Sequence, residues 1–180
     1  MFPLRDIQKS EDGLHFETEF VVTDTLKSRH SEILDAKPVQ VKGVVAYDDG
    51  LYLLHYEMAY DLVLPSSRSL TPVAFKGTTA VDEVFVPASD ATEKQDLIEE
   101  SLALILEGDY LDVEESVVDN ILLLIPLKIL TPEEEAGAGL ASGNDWEVLT
   151  QEDYQARQEE EKAQANPFTV LTGFLDDEED

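Results

Sequence analysis

Residues 39–64, VQVKGVVAYDDGLYLLHYEMAYDLVL, carry the clearest structural signal in the chain. Two runs rich in β-branched and aromatic residues, 39–47 and 51–64, flank the short stretch Asp48-Asp49-Gly50. An Asp-Gly pair between such runs is typical of a tight hairpin turn, because both central residues of that turn need a positive φ. The stretch therefore predicts an antiparallel hairpin with two long strands.

Further strands are predicted on both sides of this hairpin. Upstream, residues 14–22 alternate apolar and polar side chains in part, which suits a strand with one buried face. Downstream, a serine-rich loop at 65–69 is followed by strand-like segments at 70–75 and 81–86, whereas 96–106 fits a helix or a strand. This order predicts an antiparallel meander rather than alternating β-α-β units. We expect the sheet to curl partly toward a barrel.

One well-packed helix is predicted over residues 114–125. Asp112 is the expected N-cap, with Glu115 as its capping-box partner three residues on. Apolar residues then recur at helical spacing until Pro126, which ends the helix. A helix of this kind packs on a sheet, so the predicted fold class is α+β.

The core is expected where this helix meets the sheet. A boundary near Thr131-Pro132, where the apolar pattern gives way to three glutamates, separates an α+β core domain (1–131) from an acidic, largely flexible tail (132–180). The predicted core positions are the apolar residues assigned to the buried faces: Phe16, Val41, Val45, Leu53, Val63, Phe75, Val84, Val118, Ile121, Leu122 and Ile125.

The tail contains one apolar segment, at residues 167–175. Asn166 offers an N-cap and Pro167 a proline at the first helical position. Apolar residues then follow at roughly helical spacing, which predicts a short docking helix. The sequence leaves two alternatives for where this helix docks: on the chain's own core or on another protein. The candidate interaction residues of this helix are Phe168, Leu171 and Phe174.

The charge of the chain is strongly one-sided. Its 180 residues include 40 acidic and 12 basic side chains, a formal net charge of −28. Lysine and arginine occur singly, without the clusters that contact phosphates, so binding to bare nucleic acid is disfavoured. Partners with cationic surfaces, such as basic proteins, are expected instead. The alternative, that the charge serves only solubility, is equally open.

Several classes of site are excluded or disfavoured. The chain has no cysteine, which excludes disulfides, zinc–thiolate sites and a cysteine nucleophile. EF-hand, P-loop and dinucleotide-binding patterns are missing, so we expect no metal, no cofactor and no small-molecule substrate. The strongest apolar run, 121–126, is far shorter than the roughly 20 residues of a membrane span. With no secretory pattern at the start, the expected compartment is the cytoplasm.

Catalytic patterns are likewise missing from the sequence. His15, His30 and His55 stand alone, and no Gly-x-Ser-x-Gly motif occurs. Neighbouring acidic residues are explained by turns and by the first turns of helices. We therefore expect a protein without enzymatic activity. The alternative is a hydrolase that uses carboxylates and a histidine, and replacing the three histidines together would test it.

Four segments of the chain form recognisable motifs: 39–43 (VQVKG), 66–72 (SSRSLTP), 110–126 and 166–175 (NPFTVLTGFL). Segment 110–126 begins with a hydrophobic–Asp–hydrophobic pattern and closes with an apolar run and a proline. Taken in order, the four segments resemble the YceD-like family of large ribosomal RNA subunit accumulation proteins. Segment 66–72 is similar to that family's C-x-R-C-L-x-P loop.

The chain departs from this family at the loop. Many members carry two cysteines there and a second cysteine-rich stretch later, a pattern similar to a zinc site. Ser66 and Ser69 stand at the first pair here. Because serine hydroxyls are poor zinc ligands, hydrogen bonds and packing should hold the loop instead. Arg68 lies between them and pairs with an internal carboxylate or with a phosphate, so all three are candidate interaction residues.

The resemblance implies a non-enzymatic factor that supports the synthesis, processing or stability of large-subunit (23S) rRNA. The net charge adds the hypothesis that it contacts a basic ribosomal protein or a large-subunit assembly intermediate. The alternative is an acidic decoy that mimics nucleic acid and inhibits a basic nucleic-acid-binding protein. A mimic needs carboxylates spaced regularly along one face, whereas the acids of this sequence are scattered.

Overall fold

A computed structural model describes residues 1–100, 102–137, 154–155 and 157–158 of the chain. The chain divides into two compact units, Met1–Ile129 and Leu130–Asp180. The first unit contains the sheet and the long helix, and it is described first.

The predicted hairpin is confirmed. Strand β4 (Val39–Asp48) pairs antiparallel with strand β5 (Leu51–Pro65), and Asp48 lies opposite Leu51. The two residues between them, Asp49 and Gly50, have φ values of 43° and 81°. A two-residue loop with positive φ at both positions matches the right-handed twist of the strands that it joins.

The main sheet is mostly antiparallel, as predicted. Its strands follow the order β2-β4-β5-β6-β7, with β3 paired to the end of β5, while β1 and β8 form a separate two-stranded sheet. Only β6 and β7 run parallel in the described part of the chain. The outermost strands β2 and β7 do not pair with each other, so the sheet stays open and the expected curling does not close a barrel. The remaining strands are β1 (Phe2–Pro3), β2 (Leu14–Phe20), β3 (Asp35–Ala36), β6 (Pro72–Pro87), β7 (Leu104–Leu106) and β8 (Tyr110–Leu111).

Two segments differ in detail from their predictions. The two pieces expected at 70–75 and 81–86 join in one continuous strand, β6, which begins only at Pro72 and passes Tyr60 of β5 at Gly77. A Cβ at Gly77 would lie 2.8 Å from the Tyr60 hydroxyl, so a larger residue here would have to displace the end of the Tyr60 side chain. The ambiguous segment 96–106 contains both structures, helix α3 (Gln95–Glu99) and strand β7.

The predicted core helix is confirmed as α4 (Val113–Leu124). The Asp112 carboxylate accepts hydrogen bonds from the backbone N–H of Glu114 at 3.0 Å and of Glu115 at 3.5 Å. These bonds satisfy two of the N–H groups that a helix start leaves without partners. The other helices of this unit are α1 (Leu4–Lys9) and α2 (Thr23–Arg29) besides α3.

The core lies between α4 and one face of the sheet, the inner face. Of the predicted core residues, Val41, Val45, Val118 and Ile121 are buried. Four others are partly buried and pack against the core: Phe16, Phe75, Leu122 and Ile125.

The prediction was wrong for Leu53, Val63 and Val84, which are only partly buried and lie on the opposite, outer face. Leu53 pairs with Val84, and the buried residues of β5 are its even-numbered ones, from Tyr52 to Leu64. Successive side chains of a strand alternate between its two faces. Because the prediction assigned odd-numbered residues of β5 to the core, it placed the wrong face of this strand inward.

The second unit contains α5 (Pro132–Glu135) among the described residues. Thr131 and Glu134 form a reciprocal capping box, in which the Thr131 hydroxyl accepts from the Glu134 N–H at 3.2 Å and the Glu134 carboxylate accepts from the Thr131 N–H at 2.9 Å. The tail helix predicted at 167–175, with Phe168, Leu171 and Phe174, lies outside the described residues. Among the helices that the structure describes, none has the length and apolar character of a membrane span.

Candidate functional site

The segment predicted to carry interactions forms a tight loop between β5 and β6, here called the serine loop (residues 66–71). Ser66 is fully buried, and its hydroxyl oxygen accepts from the backbone N–H groups of Arg68 at 3.1 Å and Ser69 at 3.2 Å. The Leu70 N–H bonds the Ser66 carbonyl at 3.0 Å, and the Ser66 N–H bonds the Thr71 carbonyl at 2.8 Å. The Ser66 hydroxyl therefore organises the turn from inside.

Further hydrogen bonds join the serine loop to the chain after α4. The Ser67 N–H donates to the Ile129 carbonyl at 2.7 Å, and the Ile129 N–H donates to the Ser67 hydroxyl at 2.9 Å. The exposed Ser69 hydroxyl donates to the Thr71 hydroxyl at 2.8 Å. The loop is thus held by hydrogen bonds and packing, as the sequence led us to expect. Whether Arg68, which is exposed, serves a partner stays a prediction.

A cavity of about 390 Å³ lies beside the serine loop. His30 lines it, and the His30 Nδ1 atom is buried without a hydrogen-bond partner in the described part of the chain. The other two histidines are exposed and lie on the outer face of the sheet. His55 contacts Asp82 there at 2.6 Å through its Nδ1 atom, and His15 lies two strands away with Val44 between them. The structure therefore does not bring the three histidines together.

A second polar arrangement joins α4 to the sheet, and the sequence did not reveal it. Here we call it the Tyr56 network. Ser116 and Asn120, one turn apart on α4, face Tyr56 of β5 and Glu83 of β6. The Tyr56 and Ser116 hydroxyls lie 3.0 Å apart, and the Ser116 hydroxyl donates to the Glu83 carboxylate at 2.6 Å. The Asn120 amide donates to the other Glu83 oxygen at 2.6 Å and approaches the Tyr56 hydroxyl at 3.4 Å.

Burial controls the chemistry of this network. Removal from water is the largest cause that raises the pKa of Tyr56, to about 12, and the nearby Glu83 charge acts in the same direction, while the hydrogen bonds with Ser116 and Asn120 oppose the shift. A phenol with such a pKa keeps its proton at neutral pH and cannot serve as a general base there. Since the Ser116 proton goes to Glu83, the Tyr56 hydroxyl donates to Ser116. The network is thus a fixed chain of donors ending on one carboxylate.

One signal in the sequence could have revealed this network. Glu83 lies between Val81 and Phe85 on one side of a predicted strand, so its carboxylate faces the core if that side, rather than the side of Val84, is the buried one. A carboxylate at such a position needs hydrogen-bond donors, and Ser116 and Asn120 share one face of the predicted helix.

Next to this network lies an open groove between α4, β7 and the start of β8, with a volume of about 560 Å³. We call it the acidic groove. Its apolar part contains side chains that are unusually exposed: Met1 at 78 %, Leu104 at 52 %, Ile105 at 49 % and Tyr110 at 56 %. Its carboxylates are Glu83, Glu107, Asp112, Glu115 and Asp119.

The electrostatics of the acidic groove are one-sided. Neither lysine nor arginine lines it in the described part of the chain. Arg29 of α2 reaches its rim, where it lies 3.5 Å from the Glu115 carboxylate and contacts Asp119. One guanidinium thus stands against five carboxylates. Among the described residues, no three or more histidine or acidic side chains converge in the manner of a metal site.

Comparison with known proteins agrees with the resemblance seen in the motifs. Residues 54–175 match the family model described as "Large ribosomal RNA subunit accumulation protein YceD". The chain is also similar to a Bacillus subtilis (strain 168) protein described as "Uncharacterized protein YlbN". The two are 31 % identical over 136 residues, which cover 75 % of this chain and 76 % of that protein. No solved structure matches. Since the family match covers more than half of the chain, from within β5 through the serine loop and α4, the chain belongs to the YceD family of large ribosomal RNA subunit accumulation proteins.

Proposed function

We propose that this chain is a non-enzymatic ribosome-biogenesis factor, active in the cytoplasm, that supports the synthesis, processing or stability of 23S rRNA. The observation that carries the proposal is the match to the rRNA accumulation family over residues 54–175. That match covers both polar arrangements described above.

The proposed mode of action is contact with a basic ribosomal protein or a large-subunit assembly intermediate. A chain with a net charge of −28 repels the phosphates of bare rRNA, and this repulsion is strongest at low ionic strength. The same charge attracts cationic proteins and accelerates their association. The acidic groove supplies a place where charge and exposed apolar surface coincide.

Two features support a role without catalysis. Tyr56, which has the largest pKa shift among the described residues, is moved away from neutrality rather than toward it. The histidines are separated, and the His55–Asp82 pair is exposed on the outer face of the sheet. A general base is useful only within hydrogen-bond reach of a substrate proton in a defined pose.

Depletion of the protein in its own host tests this proposal. We expect large-subunit rRNA to fall relative to small-subunit rRNA, with large-subunit precursors accumulating, because assembly of that subunit alone is affected. Quantification of both rRNAs and their precursors after depletion measures this effect. Expression of the wild-type chain from a second locus should restore the ratio. An unchanged ratio contradicts the proposal and favours the acidic decoy instead.

A further inference from the structure

The acidic groove combines clustered carboxylates with large apolar side chains that are exposed to solvent, a combination that is rare on protein surfaces. Leu104 and Ile105 of β7 and Tyr110 of β8 each expose about half of their surface to solvent, and Met1 exposes more. Large apolar side chains that cluster in the open usually mark a binding surface. The groove volume of about 560 Å³ falls within the range of roughly 300–1,000 Å³ typical of ligand pockets. It is large enough for a few side chains of a protein partner.

The backbone at the groove is also available for binding. Strand β7 pairs with β6 alone among the described strands, so its second edge is open. An open edge presents N–H and C=O groups that can pair with an added strand. The exposed Leu104 and Ile105 belong to this edge, which brings apolar contacts and main-chain pairing to the same place.

The carboxylates around the groove determine which kind of partner it favours. Glu107 lies in the turn between β7 and β8, and Asp112 caps α4 at the other side of Tyr110. Both carboxylates are within the groove lining, and they are joined there by the half-buried Glu83. This arrangement repels phosphate groups and attracts lysine and arginine side chains.

We infer that the acidic groove binds a short, extended, lysine- or arginine-bearing segment of a basic ribosomal protein. The segment pairs with the open edge of β7, places an apolar side chain against Leu104 and Tyr110, and directs its cations at Glu107 and Asp112. This inference rests on the proposed function, since it names the site through which the proposed contact is made. It assigns the groove rather than the serine loop as that site.

The absence of cysteine from the whole chain allows a specific test of the site. Glu107→Cys gives one thiol at the groove, and Glu57→Cys gives one on the exposed outer face of β5 as a matched control. Each variant is labelled with a photoreactive maleimide and mixed with individually purified basic proteins of the host's large ribosomal subunit. We expect the groove label to cross-link to a lysine- or arginine-rich segment of one protein, and the outer-face label to give little product.

Affinities separate the groove from diffuse charge attraction. Glu107→Lys should weaken binding of the cross-linked protein about tenfold, because it places a cation opposite the partner's cations. Glu57→Lys changes the net charge equally and should weaken binding less than about twofold. Leu104→Ser should also weaken binding about tenfold through lost apolar contact. Equal effects of the two lysine variants, or equal cross-linking from both labels, would overturn the inference.

Complementation in the depleted host keeps this inference apart from the proposed function. If wild type restores large-subunit rRNA while Glu107→Lys and Leu104→Ser do not, both ideas are supported. If these two variants restore rRNA as well as wild type does, the groove is not the site, although the proposed function holds. If depletion leaves rRNA unchanged, the proposed function fails. The inference then fails as well, because binding at the groove would not serve the accumulation of large-subunit rRNA.

Discussion

The serine loop and the Tyr56 network both bury polar groups, yet the hydrogen-bonded residues are close in sequence in the loop and far apart in sequence in the network. In the loop, one hydroxyl accepts from backbone N–H groups two and three residues away. In the network, Tyr56, Glu83 and Ser116 come from two strands and a helix, and the bonded pairs are separated by 33 to 60 residues. The first arrangement forms with the local turn, whereas the second exists only when sheet and helix are docked.

This difference has an energetic consequence. A local turn keeps part of its hydrogen bonding when the rest of the domain loosens, because its closure costs little chain entropy. The Tyr56 network depends on the register of β5 with β6 and on the position of α4. Loss of a network member therefore leaves buried partners without hydrogen bonds, which costs more than the average worth of one bond. Substitutions in the serine loop and in the Tyr56 network should therefore differ in how much they lower the free energy of unfolding.

The largest effect is expected from Glu83→Ala. The change removes the acceptor of both the Ser116 hydroxyl and the Asn120 amide, and bonds to a charged group are worth about 1.5–3 kcal/mol each. We expect the free energy of unfolding, measured in urea, to fall by about 3 kcal/mol. Glu83→Gln keeps an acceptor oxygen and should recover part of this loss.

A matched control lies next to Glu83 in the sequence. Asp82 points to the outer face, where it is exposed and contacts only His55 among the described residues. Asp82→Ala removes the same charge and should lower the free energy of unfolding by less than about 1 kcal/mol. Similar losses for the two alanine variants would show that Glu83 does not have the structural role assigned to it.

A smaller effect is expected from Ser66→Ala in the serine loop. Two backbone N–H groups lose their acceptor, although they belong to the exposed residues Arg68 and Ser69, so water can replace part of it. We expect unfolding in urea to become easier by about 1–2 kcal/mol. Ser69→Ala is the comparison, since its hydroxyl is exposed, and a change below about 0.5 kcal/mol is expected there. If the two variants are equally stable, the Ser66 hydroxyl does not organise the loop.

The same contrast between local and distant contacts explains what the sequence could predict. The Asp49-Gly50 turn and the Asp112 cap were recognised because both are decided within a few residues. The buried face of β5 was assigned wrongly because residues 51–54 are all apolar or aromatic. Without alternation of apolar and polar residues, the sequence does not show whether the odd-numbered or the even-numbered side chains point inward. Pairing with β6 places Leu53 and Val84 on the same face, and only the packing of the core and α4 against the other face makes theirs the outer one.

The acidic groove was missed for a related reason. It depends on β7, a three-residue strand that pairs parallel to β6 after a crossover through α3. Neither a meander pattern nor local propensity reveals such a pairing. The carboxylates were visible in the sequence, but their placement beside Leu104 and Tyr110 follows from tertiary structure alone.

The smallest effect is expected in the pH dependence of Tyr56→Phe. The unfolded chain loses its tyrosine protons near pH 10, whereas the folded chain keeps the Tyr56 proton until about pH 12. Unfolding thus releases a proton in this range, and the stability contributed by Tyr56 is complete below pH 10 and declines as the pH rises toward 12. Between pH 9 and pH 11 this decline should be on the order of 1 kcal/mol in wild type. In Tyr56→Phe the decline should be smaller by that amount, on top of a constant loss from the missing hydroxyl. An unchanged slope in Tyr56→Phe would place the titrating group elsewhere in the core.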